Sequence, residues 1–305
     1  MTDIPMSDSS DHAARRGGIA VTCAFFAWGL WPLFLKPLHA VDTLQVCAWR
    51  ALLGCAVGFI WLAWRNEISK ARQAIFDRDV MLRLVATAGL LIVNWGVYIW
   101  AIANHQVVSS SLGYFINPLM NVLLGVLILS ERLNRLQWAA VSLATASVVW
   151  LTISTGEFPW VAIALATSFS TYGLIRKTAK VEALPGSAVE TLFMTPLALG
   201  FLVYNETHFA NVLHHTDMET FMLLMFGPLT TIPSVLFAYG ARRINYATVG
   251  MLQYVAPTMQ FLLGLFLCHE TLSATRLMCF IVIWVALIIS AADSWRRMPS
   301  VRSLI

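Results

Sequence analysis

The amino-acid sequence predicts an all-α integral membrane protein whose ten transmembrane helices form two inverted five-helix repeats around a central cavity. Three observations lead to this fold class: an apolar composition, a repeated sequence pattern and an uneven distribution of basic residues. Of the 305 residues, 58% are hydrophobic and 12% are charged, whereas soluble domains carry about 25% charged residues. A surface with so few charges faces lipid over most of its area.

Ten apolar runs are long enough to cross a bilayer, whose hydrocarbon core of about 30 Å needs about 20 helical residues. In the first half of the chain, the runs cover residues 19–35, 44–64, 81–103, 107–129 and 136–153. In the second half, they cover residues 158–175, 188–204, 221–241, 246–268 and 276–292. Because most connections between the runs are short, neighbouring helices are expected to be antiparallel.

A sequence pattern in the first half returns in the second half after 139 positions. The matched pairs are Pro118 and Pro257, Leu123-Leu124 and Leu262-Leu263, Gly125 and Gly264, Glu131 and Glu270, and Leu133 and Leu272. These matches occur in one ungapped window, which favours an internal duplication. The sequence therefore divides into a polar cytoplasmic tail (1–17), a first repeat (18–154), a second repeat (155–293) and a cytoplasmic tail (294–305).

The basic residues predict the orientation of the helices. If the N-terminus is cytoplasmic, 17 of the 20 Lys and Arg residues fall on the cytoplasmic side. The exceptions are Lys36 and Arg276, which fall outside, and Arg50, which lies within a helix. This bias places both termini in the cytoplasm. Since each repeat has five helices, the second repeat enters the membrane in the opposite sense, a common plan of transporters.

Three charged residues are candidates for solute binding or gating. Arg50 lies in the middle of the second run, where a charge normally faces inward and is paired. Glu190, near the start of the seventh run, is its expected partner, either as a static tie between the halves or as a gate or substrate contact. Lys36 is either a snorkelling lysine at the outer interface or a charge at the cavity mouth that attracts an anionic or zwitterionic solute.

Polar and aromatic side chains are candidates for the cavity lining. Asparagine in a bilayer needs a partner, so a helix face that carries it turns inward, for interhelical hydrogen bonding or for cavity lining. The lining candidates are Trp28, Asn94, Trp95, Tyr98, Tyr114, Asn117, Gln253 and Tyr254. Proline removes a backbone hydrogen bond and glycine permits close approach, so Gly29, Pro32, Pro118 and Pro257 are the expected structural hinges.

Other classes of site have little support in the sequence. It contains no HExxH, no phosphate-binding loop and no GxSxG motif. His214, His215 and Asp217 form a weak metal-binding pattern that a solvated loop explains better, and the five cysteines lie in apolar runs without paired spacing. The sequence therefore predicts no catalytic residue, metal, cofactor or nucleic-acid partner.

Several short motifs in the two halves of the chain are specific enough to compare with known families. In the first half these are Asn94-Trp95-Gly96, the run Leu-Gly-Tyr-Phe-Ile-Asn-Pro at 112–118 and Glu131-Arg132-Leu133. In the second half they are Glu190-Thr191-Leu192, Ala241-Arg242-Arg243 and the segment 252–258. Together these motifs resemble the RarD-type permeases of the EamA group, in the drug/metabolite transporter superfamily. One departure is Ser109, in a region where the family usually has an acidic residue.

The resemblance implies two inverted EamA repeats around a central cavity in the bacterial inner membrane. It also implies transport of a small polar or amphipathic metabolite or drug-like solute, such as an amino acid, a vitamin or an amphenicol-like compound. We therefore expect a secondary transporter that works by alternating access, with proton coupling left open. The alternatives are a non-transporting membrane helper or receptor subunit and, with less support, an intramembrane enzyme.

Overall fold

Helices and short connections make up the computed structural model, which describes residues 6–38, 40–103, 107–155, 160–209, 215–266, 277–278, 281–286 and 288–289. The first six helices are α1 (Met6–Gly29), α2 (Trp31–Leu35), α3 (Thr43–Trp64), α4 (Ile68–Phe76), α5 (Arg78–Ala103) and α6 (Val107–Leu127). The next six are α7 (Arg135–Thr155), α8 (Trp160–Thr178), α9 (Ala183–Phe209), α10 (Asp217–Ala241), α11 (Tyr246–Gln253) and α12 (Val255–Phe266). No strand occurs in these ranges.

Six segments of the described chain are long and apolar enough to span a membrane. They are His12–Leu38, Thr43–Trp64, Arg78–Ala101, Arg135–Ser154, Ala183–His208 and Asp217–Ala241. A shorter apolar helix, Gly113–Leu127, lies within the fourth predicted run. Helix α8 covers most of the sixth run and α11 with α12 covers most of the ninth, whereas most of the tenth run lies outside the described residues. The all-α membrane fold is confirmed, and the ten-helix inverted plan stays a prediction.

Side-chain caps define where several helices begin. The Asp42 carboxylate accepts a hydrogen bond from the Leu44 amide at 3.1 Å at the start of α3. Thr216 and Glu219 form a capping box at the start of α10. Such caps satisfy backbone amides that have no partner within the helix. The starts of these helices are therefore fixed by short polar sequences between the apolar runs.

The two halves of the chain interlock. Helix α6 packs against α8 and α11, α3 packs against α9 and α10, and α1 packs against α10 and α12. Small residues allow some of these contacts to be close. A Cβ atom on Gly250 of α11 would lie 2.5 Å from the Pro118 carbonyl oxygen of α6. The centre of the bundle is therefore built from helices of both halves.

Basic residues gather at one end of the bundle, which we call the basic end; it contains Arg65, Lys70, Arg83, Arg176, Lys177, Arg242 and Arg243. Lys70 Nζ donates to Glu182 Oε2 at 2.9 Å, and this bond raises the pKa of Lys70. Lys177 Nζ donates to the Ala241 carbonyl at 2.9 Å. At the other end, the Gln45 amide nitrogen lies 3.0 Å from His215 Nε2.

Candidate functional site

Arg50 of α3 lies between two tryptophan rings. Its Cζ atom is 4.2 Å from the centroid of the Trp31 ring and 4.0 Å from that of the Trp95 ring. A cation against an aromatic face gains about 2 kcal/mol or more when it is removed from water. Residues of α2, α3 and α5 thus combine to hold the guanidinium against two aromatic rings.

Neutral polar groups surround this arginine. Within the described part of the chain, the groups in electrostatic range of Arg50 are Cys47, Tyr114 and Tyr172. Tyr98 is in turn a neighbour of Tyr114. Thiols and phenols are uncharged at neutral pH, so they leave the positive charge of Arg50 uncompensated. Tyr114 keeps 37% of its surface exposed, so this group of side chains is not fully enclosed.

Two hydrogen-bond donors at this site have no acceptor among the described residues. Arg50 Nε and Trp31 Nε1 are both buried, and neither has a hydrogen-bond partner. None of the ion pairs formed within the described ranges includes Arg50. A buried donor without a partner costs about 1–3 kcal/mol. The site therefore has unused capacity to donate hydrogen bonds.

Glu190 pairs with Arg176, so the predicted pair between Arg50 and Glu190 is wrong. Arg176 Nε lies 3.5 Å from Glu190 Oε1, and the two side chains are 1% and 3% exposed. An Nη atom of Arg176 also donates to the Ala183 carbonyl at 3.1 Å and to Ser187 Oγ at 3.2 Å. Arg176 directly follows the apolar run 158–175, which predicts a position in a cytoplasmic loop. The structure instead places it in the protein interior.

Helix geometry explains the change of partner. Arg50 and Glu190 each lie seven residues, about 10 Å, from the start of their helices, α3 and α9. These helices start at opposite ends of the bundle, and α3, with 22 residues, is about 33 Å long. The two side chains are therefore more than about 10 Å apart along the bundle. Arg176 reaches Glu190 because only residues 179–182 separate α8 from α9.

Tyr172 of α8 lies between these two charged groups. It is 2% exposed, and its electrostatic neighbours include Glu190, Arg176 and Arg50. Its ring stacks on Phe237 with centroids 6.0 Å apart. Tyr172 therefore connects the site around Arg50 with the buried pair near the basic end.

Two further candidates lie in different surroundings. Trp28 packs on Phe25, Phe169 and Phe237 with ring centroids 5.6–5.8 Å apart. Because Phe237 also stacks on Tyr172, Trp28 belongs to an aromatic cluster next to the site. Lys36 is exposed in a short 3₁₀ turn after α2.

Asn94 and Asn117, two of the predicted lining residues, form hydrogen bonds with residues of α8. Asn94 Nδ2 donates to the Leu165 carbonyl at 2.9 Å and to Ser168 Oγ at 2.8 Å. Asn117 Oδ1 accepts a hydrogen bond from Ser170 Oγ at 2.6 Å. These bonds show that both asparagines join α8 to the first half. A role in solute binding stays a prediction.

Gln253 and Tyr254, the lining candidates in the second half, form hydrogen bonds with residues of α6. Gln253 Oε1 accepts a hydrogen bond from Asn121 Nδ2 at 2.6 Å, and both residues are buried. The Tyr254 hydroxyl donates to the Phe115 carbonyl at 3.2 Å. These contacts hold α6 to the junction of α11 and α12.

Two helix breaks meet near the predicted hinges. Helix α1 ends at Gly29 and α2 begins at Trp31, with Pro32 in its first turn. A Cβ atom on Gly29 would lie 2.6 Å from Met259 Cβ, so this break packs on α12. Pro257 follows the second break, at Tyr254, whereas Pro118 lies inside the continuous α6. Whether these residues act as hinges stays a prediction.

Glu131 joins the two halves at the basic end. Its Oε1 accepts a hydrogen bond from the Tyr246 amide at 2.6 Å, and its Oε2 accepts one from the Ala247 amide at 2.9 Å. Both amides belong to the first turn of α11, where a carboxylate is favoured by the helix dipole. Lys177 Nζ lies 4.0 Å from the same carboxylate. We call this set of contacts the Glu131 clasp.

Comparison with known proteins identifies the family of the chain. The family model described as the EamA-like transporter family matches twice, over residues 15–153 and 159–292. This chain belongs to the EamA-like transporter family. The family lies in the drug/metabolite transporter superfamily, so the chain is a multi-pass membrane transporter rather than an enzyme.

Relatives in this family match nearly the whole chain. An uncharacterized transporter of Pseudomonas aeruginosa is 41% identical over 93% of this chain and 96% of its own. Protein RarD of Streptomyces exfoliatus is 37% identical over 94% of this chain and 91% of its own. The chloramphenicol-sensitive protein RarD of Pseudomonas aeruginosa is 29% identical over 87% of this chain and 90% of its own.

A crystal structure of a protein shares the fold of this EamA-family chain. The alignment gives a TM-score of 0.71 and covers 93% of this chain and 99% of the other, at 19% identity. The likeness concerns the fold alone.

The sequence did not identify Trp31, Tyr172 or Arg176 as parts of the site. Trp31 follows the α1–α2 break, and its ring position depends on that break. Tyr172 and Arg176 are four residues apart and so share one face of α8. That spacing was a usable signal, because an arginine one turn after an inward-facing tyrosine also faces inward.

Proposed function

We propose that this EamA-family protein is a secondary transporter that moves a small polar or amphipathic solute across the bacterial inner membrane by alternating access. Its two repeats, residues 18–154 and 155–293, would be inverted relative to each other. The observation that carries the proposal is the partly buried Arg50, which lies between helices of both halves. An ionisable group at this depth in a membrane protein marks a solute or ion pathway by default.

The directions of equivalent helices support the inverted repeat. Helices α5 and α10 begin 139 positions apart, at Arg78 and Asp217. Helix α5 begins at the basic end, where Arg83 lies near Thr178, whereas α10 ends there, next to Arg242. Equivalent helices that run in opposite directions are expected of repeats related by an axis in the membrane plane.

The fourth helix of each repeat supports the same relation. Helix α6 covers residues 107–127, and α11 with α12 covers residues 246–266, again 139 positions later. Helix α6 ends at the basic end, and α11 begins there at the Glu131 clasp. Two matches of one family model in this chain add further support for a duplication.

The contacts at the basic end support a state that is closed on one side. The Glu131 clasp joins the loop after α6 to α11, and the Arg176–Glu190 pair joins α8 to α9. We assign the basic end to the cytoplasm because basic residues are enriched on that side. In this assignment both termini are cytoplasmic, and transport requires the clasp to open.

Flux measurements with purified protein test this proposal. The protein is placed in liposomes, and uptake is measured for pools of labelled amino acids, vitamins and an amphenicol, with and without a pH gradient. We expect saturable uptake of at least one solute, and dependence on the gradient would show proton coupling. Absence of uptake for every pool would favour the helper-subunit alternative, and a chemically changed solute would favour the enzyme alternative.

Replacing Glu131 by alanine is expected to open the basic end. The change removes both acceptors of the Tyr246 and Ala247 amides, and charge-assisted hydrogen bonds of this kind contribute about 1.5–3 kcal/mol each. We expect amide hydrogen exchange in the peptide spanning residues 245–250 to become about tenfold faster or more. Mass spectrometry of the exchanged peptide measures this rate.

Glu182→Ala is the matched control for the clasp. Glu182 is a carboxylate at the same end, but its side chain is 60% exposed and its partner Lys70 is 40% exposed. Exposed pairs contribute about 0–1 kcal/mol, so exchange at 245–250 should stay at the wild-type rate. Equal rates in wild type and Glu131→Ala would show that the clasp does not hold α11.

A further inference from the structure

The arrangement around Arg50 limits the chemistry of its ligand. Arg50 Cζ lies over the Trp31 ring at 4.2 Å and over the Trp95 ring at 4.0 Å. The N–H groups of a guanidinium lie in its plane and form a fork that matches a carboxylate or phosphate. A ligand that accepts hydrogen bonds from Arg50 therefore approaches the edge of that plane. A group with two acceptor oxygens fits such an edge.

The unused donors lie next to one another. Arg50 Nε is buried without an acceptor among the described residues, and so is Trp31 Nε1, on a ring that covers the arginine. Arg50 as a whole is only partly buried. An acceptor at the edge of the guanidinium would satisfy Arg50 Nε, and the indole N–H of the adjoining Trp31 is a second donor without a described acceptor. The unsatisfied donors therefore point to a missing acceptor rather than to a packing role alone.

The single positive charge of the site favours a ligand with a single negative charge. Arg50 contributes one positive charge, and its neighbours Cys47, Tyr114 and Tyr172 are neutral at pH 7. The two charges of Arg176 and Glu190 compensate each other. A carboxylate neutralises Arg50 without leaving a surplus, whereas a phosphate dianion would bring a second charge that no described neighbour of Arg50 balances. Uncompensated charges in an apolar interior are costly.

The walls of the site favour an apolar body on the ligand. Tyr114 and Trp95 adjoin the arginine, and Tyr98 adjoins Tyr114. The aromatic cluster of Trp28, Phe169 and Phe237 follows beyond Tyr172. No described acidic residue is among the groups in range of Arg50, so a ligand ammonium group would find no counter-charge there. The site therefore suits a carboxylate without a neighbouring amine.

From these contacts we infer that Arg50, with Trp31 and Trp95, binds a small organic monocarboxylate that has an apolar or aromatic body. The inference rests on the proposed transport function, because it names the class of solute that the same site takes. Arg50 pairs with the carboxylate of the solute, which explains why none of the carboxylates that the structure describes pairs with it. The Arg176–Glu190 pair remains intact when the solute binds.

Three matched probes test the ligand class. Phenylacetate carries the monocarboxylate, phenylacetamide is its uncharged counterpart, and phenylglycine adds an ammonium group to phenylacetate. Acetate and indole-3-acetate, with their amides, extend the size range. Binding is measured on the purified protein in nanodiscs at pH 7 by calorimetry and by the fluorescence of the tryptophans around Arg50. We expect at least one monocarboxylate to bind at least tenfold more tightly than its amide.

Variants of Arg50 test the residue. Arg50→Gln should weaken monocarboxylate binding about 100-fold or more, since a buried charge pair would be lost. Arg50→Lys keeps the charge without the fork and should weaken binding less, by about tenfold. Arg65→Gln is the control, because Arg65 is exposed at the basic end and pairs with Glu67; its binding should equal wild type. Each variant is first checked for a wild-type elution volume and unfolding temperature.

The outcomes separate this inference from the transport proposal. The monocarboxylate inference is overturned if no carboxylate of the panel binds below 10 mM, if the amides bind as well as the acids, if only phenylglycine binds, or if folded Arg50→Gln binds like wild type. Flux of other solutes into liposomes would leave the transport proposal standing in each of these cases. Conversely, Arg50-dependent binding without flux of any solute would support the site and contradict the transport function.

Discussion

Replacing Arg176 by alanine is expected to destabilise the protein by about 3–5 kcal/mol, because the Glu190 carboxylate would stay buried without its counter-charge. The two side chains are 1% and 3% exposed, so water cannot replace the lost partner. The change also removes the hydrogen bonds that Arg176 donates to Ala183 and Ser187. The unfolding temperature in detergent, measured by scanning fluorimetry, should fall by several degrees.

A double replacement shows whether the pair itself is stabilising. Arg176 Nε and Glu190 Oε1 are 3.5 Å apart and form no hydrogen bond within the described structure. Because a buried pair with imperfect geometry only partly repays its desolvation, Arg176→Met with Glu190→Met should recover most of the lost stability. Lys70→Ala, at an exposed pair of the same end, should keep an unfolding temperature close to that of wild type, because exposed ion pairs add little stability. An Arg176→Ala variant as stable as Lys70→Ala would contradict this account.

The burial of charges shows what sequence can predict and what it cannot. Arg50 was predicted to face the interior because a charge in the middle of an apolar run has few alternatives. The partner of Arg50 could not be predicted from its apolar run. Pairing also depends on the depth of each residue in the bundle, measured from the end at which its helix starts. Arg176 follows the apolar run 158–175, which predicts that it lies beyond the helix, although α8 continues to Thr178.

The two matched prolines show a second limit. The 139-residue repeat aligns α6 with α11 and α12, yet Pro118 lies in a continuous helix and Pro257 follows a break at Tyr254. Proline weakens a helix at both positions in the same way. The contacts differ, since the break between α11 and α12 packs on the end of α1 at Gly29. Such a contact comes from the other half of the chain and leaves no local sequence signal.

Replacing Gly250 by leucine is expected to separate α6 from α11. A Cβ atom at position 250 would lie 2.5 Å from the Pro118 carbonyl oxygen and 3.0 Å from Asn121 Cβ, both of which belong to the facing helix. Forcing atoms into a packed interior costs about 1–3 kcal/mol. Separating the helices also breaks the buried Asn121–Gln253 hydrogen bond, for about 1–3 kcal/mol more.

We therefore expect Gly250→Leu to lose about 2–6 kcal/mol in total and to give a low yield of monodisperse protein by size-exclusion chromatography. The matched control is Gly200→Leu, because Gly200 also lies within a helix but has no atom within 4 Å of its added Cβ. That variant should keep the wild-type yield, since leucine is a better helix former than glycine and Gly200 lies on an exposed face. If Gly250→Leu were as stable as Gly200→Leu, α6 and α11 would not be in close contact. The junction between the two halves would then have to be held by other contacts, such as the Glu131 clasp.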